Sequence, residues 1–260
     1  MTTVAPAPGP ASSTARPRPR LVAIVLYAWQ SCLPPKRWMA LLFPCFGALL
    51  FGMLSYAVNG SRAHAFANVA AEGIFGLVLP IAALIIGDAM LGAEVRAGTF
   101  HFTWLSPTPT WQIVLGRWFA GSAVALVTIA PSCALAAVIA GRAQDADAAF
   151  AAAAWGSIAY VAIFILIGSV TRRTAVWSLA FVFLVERLLG AALTGIAQLS
   201  PTWESRAIFV AFINHPPTRL IRQGIPHGNA AAVRLVIVTV IALIFANWRM
   251  HRLHLSGASD

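Results

Sequence analysis

Charge is scarce in this chain, so the few points where it enters an apolar run are where side-chain chemistry is to be sought. Glu186 and Arg187 stand side by side inside the apolar stretch 175–199. At the centre of a membrane helix a charged residue costs roughly 2.5–3.5 kcal/mol on insertion scales. Adjacent helix positions point about 100° apart, so each of the two needs a partner on another helix or in water. Asp88, at the end of an earlier apolar run, would partner Arg187 if the two lie at the same depth. Such a polar point either lies on a transport route or subunit interface, with Glu186 able to carry a proton, or is an ion pair that fixes helix packing.

A second polar stretch reads Glu94-Val-Arg96-Ala-Gly98-Thr99, followed by Leu105-Ser-Pro107 and Val114-Leu-Gly116-Arg117. Gly98 permits a sharp backbone, and Pro107 and Pro109 stop any helix that begins after it. A short amphipathic helix between breaks suits docking onto a soluble partner. The plainer role for the same residues is to cap two helices, with Arg96 as a charge anchor at the membrane surface.

Other chemistry is poorly supplied. The six histidines, at 64, 101, 215, 227, 251 and 254, all fall outside the apolar runs. His251 and His254 have no third ligand near them in sequence, so no metal site is expected. An intramembrane serine protease would need a nucleophilic Ser and a His within the membrane, and no run holds that His. Cys32, Cys45 and Cys133 have no paired spacing and read as small apolar residues. No Gly-x-x-x-x-Gly-Lys-Ser/Thr phosphate loop occurs, so the chain is expected to be neither an enzyme nor the holder of a cofactor.

These polar points sit on an apolar scaffold. The chain is 59% apolar and 10% charged, against roughly a quarter charged in soluble domains, so lipid is its main solvent. The expected fold class is an all-α integral membrane protein of six transmembrane helices, 38–58, 70–93, 113–140, 148–170, 175–199 and 230–248, each long enough for a hydrocarbon core of about 30 Å. Residues 1–20, rich in Pro, Ala, Ser and Thr and carrying Arg16, Arg18 and Arg20, are expected to form a disordered tail. The stretch 21–35, closed by Pro34-Pro35, is expected as a helix in the membrane interface. Residues 200–229 form an outer segment and 251–260 a tail. Ala63-His64-Ala65 has the form of a signal-peptide cleavage site, but the apolar run before it exceeds the usual 7–15 residues, so 38–58 is kept as a span.

The net charge of +10 is scattered at the ends of apolar runs rather than gathered on one face, which argues against nucleic acid. With the amino terminus inside, cytoplasmic segments hold 11 of the 18 basic residues, among them Lys36, Arg37, Arg96, Arg117, Arg172, Arg173, Arg249 and Arg252. The short outer loops hold Arg62 and Arg142. Arg206, Arg219, Arg222 and Arg234 fall in the long outer segment or at the mouth of the last span. Both termini are therefore expected in the cytoplasm. The richness in arginine and alanine suggests a GC-rich bacterial source.

At Glu94 through Arg117 the chain resembles the permease subunits of type-2 ABC exporters, the ABC-2 family. Their segment after the second span runs Glu, Gly-Thr, an apolar stretch, Pro, then Gly-Lys or Gly-Arg opening the third span. The likeness covers nearly the whole chain, including an interfacial elbow helix before the six spans. A final outer segment matches Asn214-His215-Pro216 through Arg222, although His215 stands where the family has Asn followed directly by Pro; the segment's place carries over and no residue's role does.

The resemblance implies an ABC exporter in the bacterial cytoplasmic membrane. A second permease subunit would complete a homodimer or heterodimer, and separate ATP-binding subunits would hold ATP and Mg. Glu94, Arg96, Gly98, Thr99 and Pro107 would then contact the ATPase. Phe75 and Pro80 of the second span, with Trp177, Phe181, Glu186 and Arg187 of the fifth, would line the substrate pathway or the dimer interface. The substrate class is hydrophobic or amphipathic: a drug, a lipid-like molecule or a peptide. Two other classes stay open on the residues alone, an ion-coupled secondary transporter using Glu186 and a non-transporting membrane scaffold.

Overall fold

The computed structural model describes residues 20–32, 35–58, 62–98, 108–171, 173–189, 200–213, 216 and 228–252. Among them every regular element is helical. Helix α1 is Arg20–Cys32 and α2 is Pro35–Ala57. Helix α3 starts as Arg62–Val69 and runs on through two wider π segments, Ala70–Val78 and Asp88–Gly92, to Ala93–Ala97. Helix α4 is Thr110–Ile139. A 3-10 turn, Ala143–Asp145, leads into α5, Ala146–Val170. Helix α6 is Thr174–Ala180, extended by a π segment, Phe181–Leu189. A short helix α7, Pro201–Phe212, and a long one, α8, Gly228–His251, complete the chain.

Among the described residues, five helical runs are long and apolar enough to cross a membrane: Met39–Ala57, His64–Arg96, Thr110–Ile139, Ala143–Val170 and Gly228–His251. The apolar run Thr174–Leu184 is shorter, and residues 190–199, expected to finish a span there, lie outside the described residues. The second run begins earlier than its sequence suggests. Alanine-rich Arg62–Val69 was expected in a loop, but it is helical and buries Phe66 and Ala67, so its helix propensity is reinforced by packing.

Contacts between helix ends define two ends of the bundle. The near end carries α1, the Gly98 end of α3, the start of α4 and the end of α8. Ile24 of α1 packs on Gly116 of α4, and the Thr110 hydroxyl meets Asn247 and His251 of α8. The far end carries the turn at Gly141 and the place where Gly228 of α8 lies against Ala211 of α7.

Helices α3 and α5 are the buried centre, and small residues explain why. Gly87 lies against Phe164, Gly121 against Val161, and Gly156 against Ser205 and Leu79; a Cβ at any of the three would collide with its neighbour. Such close approaches let dispersion and backbone contacts replace the hydrophobic drive that lipid does not supply. Peripheral α2 exposes Met39, Leu42, Phe43, Phe46 and Met53, and α8 exposes Val233, Ile237, Val240, Ile244 and Phe245. Apolar faces of this extent suit lipid or another membrane chain and not water.

The segment expected as a connection after the fifth span contains α7, which is packed into the bundle against α5, α8 and α3. Pro201 at its first turn and the extended Ser200 before it start the helix. Thr202, Glu204, Ser205 and Arg206 are all buried, so α7 is a polar helix embedded in the bundle.

Gly156→Val tests this packing. A side chain there meets Ser205 of α7 and Leu79 of α3. The expected loss is about 1–3 kcal/mol of stability, as for overpacked cores, read as a lower unfolding midpoint in detergent by tryptophan fluorescence. An unchanged midpoint would show that α7 does not pack on α5 in this way.

Candidate functional site

Polar side chains concentrate in two places, one at the near end and one in the middle of the bundle. At the near end, Gly98 with φ 69° closes α3, its N–H bonded to the Val95 carbonyl at 3.3 Å. That left-handed conformation costs a residue with a Cβ about 1–2 kcal/mol, which is why glycine stands there. Just before it, one ion pair spans the π segment Asp88–Gly92 and a second lies directly after it. Arg96 grips Asp88 with both guanidinium nitrogens, the Nη2 bond being 2.7 Å long. Arg117, two turns into α4, donates to the Met90 carbonyl inside the π segment and, at 2.5 Å, to the Glu94 carboxylate beyond it.

The two pairs differ in environment. The Arg96 side chain is 44% exposed, whereas that of Arg117 is 2% exposed. A buried guanidinium is tolerable only when fully engaged by charge-assisted bonds, and the fork of Arg117 is so engaged. Gly92, inside the π segment, packs against Thr174 of α6, which brings the start of that helix to the same joint.

The middle site is a hydrogen-bonded cluster. Glu186 in the π part of α6 accepts from the Tyr160 hydroxyl of α5 and, at 2.9 Å, from the Thr202 hydroxyl at the start of α7. The two hydroxyl oxygens lie 2.5 Å apart. Tyr160 stands ten residues before the near end of α5, which at 1.5 Å per residue is roughly 15 Å and about half a hydrocarbon core. Further along α7, Arg206 bonds Glu72 of α3 at 3.0 Å, and Arg234 of α8 bonds Glu204 at 3.2 Å. Phe209 packs against Phe66 at 6.0 Å and Phe75 at 5.1 Å between centroids. The short helix α7 is thus tied by polar contacts to α3, α5, α6 and α8.

The residues singled out by sequence fall as follows. Glu94, Arg96 and Gly98 meet at the near end, and Thr99 and Pro107 lie outside the described residues. Asp88 takes Arg96 as its partner; the Arg187 side chain lies outside the described residues. Glu186 finds the hydroxyls of Tyr160 and Thr202. Phe75 and Pro80 are buried inside the bundle, with Leu77 and the half-buried Ile81 and Leu84 on the accessible side of α3. On α6, Trp177 is 59% exposed and Phe181 half-buried. Pro216 is half-buried, and Asn214 and Arg222 lie outside the described residues.

Sequence reasoning passed over Arg117, Tyr160, Thr202 and the pairs Arg206–Glu72 and Arg234–Glu204. One signal was available: a tyrosine deep in an apolar run needs a partner for its hydroxyl. A second was Pro201 followed by alternating polar residues, the opening of a helix.

An all-α bundle with several runs long and apolar enough to cross a membrane, and with ion pairs between its helices, has the build of a multi-pass membrane protein. The chain matches the family model described as ABC-2 family transporter protein over residues 24–253, and it belongs to that family of permeases. No curated protein sequence matches it.

The cluster is tested by its own order of effects. Tyr160→Phe should cost about 0.5–2 kcal/mol, the range of single hydrogen bonds between membrane helices. Glu186→Gln keeps an acceptor and should cost less than Glu186→Leu, which leaves the two buried hydroxyls without their shared acceptor. Unfolding in mixed micelles titrated with SDS ranks the variants. Equal stability of Glu186→Leu and wild type would show that the cluster ties nothing together.

Proposed function

We propose that this chain is the membrane subunit of an ATP-driven exporter, paired with a second permease subunit and with ATP-binding subunits that dock at its near end. The observation that carries the reading is the end of α3: a helix terminus braced by Asp88–Arg96 and Glu94–Arg117, closed by Gly98, in a chain of the ABC-2 family. A contact that receives mechanical work has to be stiff, and two ion pairs at one π segment supply that stiffness. The excess of arginine and lysine in segments at this end supports a cytoplasmic near face in a bacterial inner membrane, and so six crossings with both termini inside.

In this reading the transport cavity lies between two copies. The exposed apolar face of α6, Val176, Trp177, Phe183 and Leu184, and the accessible side of α3 at Leu77, Ile81 and Leu84 form its walls, while Phe75 and Pro80 sit one layer behind. Apolar walls with Glu186 behind them suit an amphipathic substrate such as a drug, a lipid-like molecule or a hydrophobic peptide. Closure of the ATPase pair moves the 93–98 end and shifts the dimer between inward- and outward-facing states. The Glu186 cluster supports a second reading, transport driven by an ion gradient. Uptake or efflux by the purified chain alone under a pH gradient without ATP would favour it.

Gly98→Val separates docking from folding. A Cβ at this position meets nothing within 4 Å, so the substitution strains only the turn. Expected are normal membrane insertion and an unfolding midpoint lowered by no more than the turn strain of about 1–2 kcal/mol, with stimulation of the copurifying ATP-binding subunit reduced about tenfold or more, a loss of about 1.4 kcal/mol of coupling. Full stimulation by the variant, or the absence of any ATP-binding chain in the wild-type preparation, would overturn the assignment.

A further inference from the structure

Arg117 has a plain explanation that the structure does not favour. Near the end of a span an arginine acts as a topology anchor, and it then extends its side chain along the helix surface to reach the headgroups. Arg117 does the opposite. It is buried, turned inward from α4, and engaged with α3 at two points. Gly116 beside it admits Ile24 of α1, so α1 covers the joint on its other side.

The positions of the two contacts on α3 carry the argument. Met90 lies within the π segment Asp88–Gly92, and Glu94 lies beyond it in the last turn before Gly98. A π segment widens the helix and shifts its hydrogen-bond ladder, and such segments cluster at functional positions and hinges. One planar guanidinium therefore holds the inside of the π segment and the turn beyond it, the stretch over which α3 would bend. The Asp88–Arg96 pair spans the same segment but joins α3 only to itself. Arg117 fastens the segment to α4 by directed hydrogen bonds, beside the packing contact of Gly92 with Thr174 of α6. Lysine, a single point donor on a flexible stem, cannot hold a carbonyl and a carboxylate in fixed relative positions.

We propose that Arg117 is the positioning residue of the coupling joint, bracing the π turn so that displacement of the 93–98 end is passed into α4 instead of being absorbed by bending within α3. The inference rests on the docking assignment above and names the residue through which docking acts. It assigns Arg117 a mechanical role in place of a topological one, and it makes α4 the first helix to follow the ATPase.

The test uses the complex of this chain with its copurifying ATP-binding subunit in nanodiscs, and needs no transport substrate. Amide hydrogen exchange is followed with and without trapping by ATP and vanadate. In wild type, trapping should change exchange both at 93–98 and in the first turns of α4. In Arg117→Lys the subunits should still copurify and the change at 93–98 should persist. The change in α4 should shrink about fivefold or more, the lower end of typical coupling factors. Arg117→Gln combined with Pro109→Arg returns a positive charge to the near end without the brace, and it should behave like Arg117→Lys. The exchanged pair Glu94→Arg with Arg117→Glu should recover part of the response in α4.

An α4 response in Arg117→Lys equal to wild type, or full recovery by the Pro109→Arg combination, overturns the inference and leaves docking intact. No exchange change at 93–98 in the wild-type complex overturns the docking reading and this inference with it. Loss of copurification in Arg117→Lys alone would assign the residue to assembly, and would also overturn it.

Discussion

A guanidinium or carboxylate withdrawn from water inside an apolar bundle must bring its counter-charge with it, and much of this structure follows from that requirement. Arg117 meets Glu94, Arg206 meets Glu72, and Arg234 meets Glu204. Each pair joins two different helices, and Arg206–Glu72 joins two that lie far apart in sequence. Desolvation offsets most of the Coulomb gain in such pairs, so their net stabilisation is small, and well-packed apolar residues would often hold the helices as well or better. What the pairs contribute is register: a helix that slides by one turn leaves a buried charge without its partner, at a cost of several kcal/mol.

The charged pairs lie where regular helix geometry gives way. Two of them lie at the π segment Asp88–Gly92, and two hold α7, which is too short to span and is embedded among longer helices. The uncharged centre is held differently. Glycine and alanine on α3, α4 and α5 bring backbones close, so packing fixes the body of the bundle while ion pairs fix its irregular parts. Such an arrangement gives a stiff centre with definable joints at the near end and along α7. A transporter that changes shape between two states needs that combination, because packed cores are bistable and do not deform continuously.

The middle cluster links these parts. Glu186 lies on α6, Tyr160 on central α5 and Thr202 at the start of α7, so one carboxylate ties three elements at roughly mid-depth. Thr174, at the start of α6, contacts Gly92 within the near-end joint. Helix α6 therefore runs from the joint to the cluster and presents Trp177, Phe183 and Leu184 outward along the way. Motion at the near end has a short material route to the cluster through this helix.

The sequence by itself determined the solvent, the all-helical class and the approximate place of the long apolar runs, because run length and charge content are local properties that a bilayer reads directly. It also marked the Glu94–Gly98 turn, since glycine and proline act through their own backbone, and the order of those residues pointed to the ABC-2 family. Only the tertiary structure decided who pairs with whom. Asp88 bonds Arg96; Arg117 counted among the cytoplasmic charges and is buried against α3; Arg206 and Arg234 counted as outer-segment charges and are partners of Glu72 and Glu204. Depth, helix rotation and side-chain direction decide those choices, and they are set by contacts between segments far apart in the chain. The same holds for α7: Thr202, Glu204 and Arg206 are buried in an embedded helix only because four other helices supply their partners.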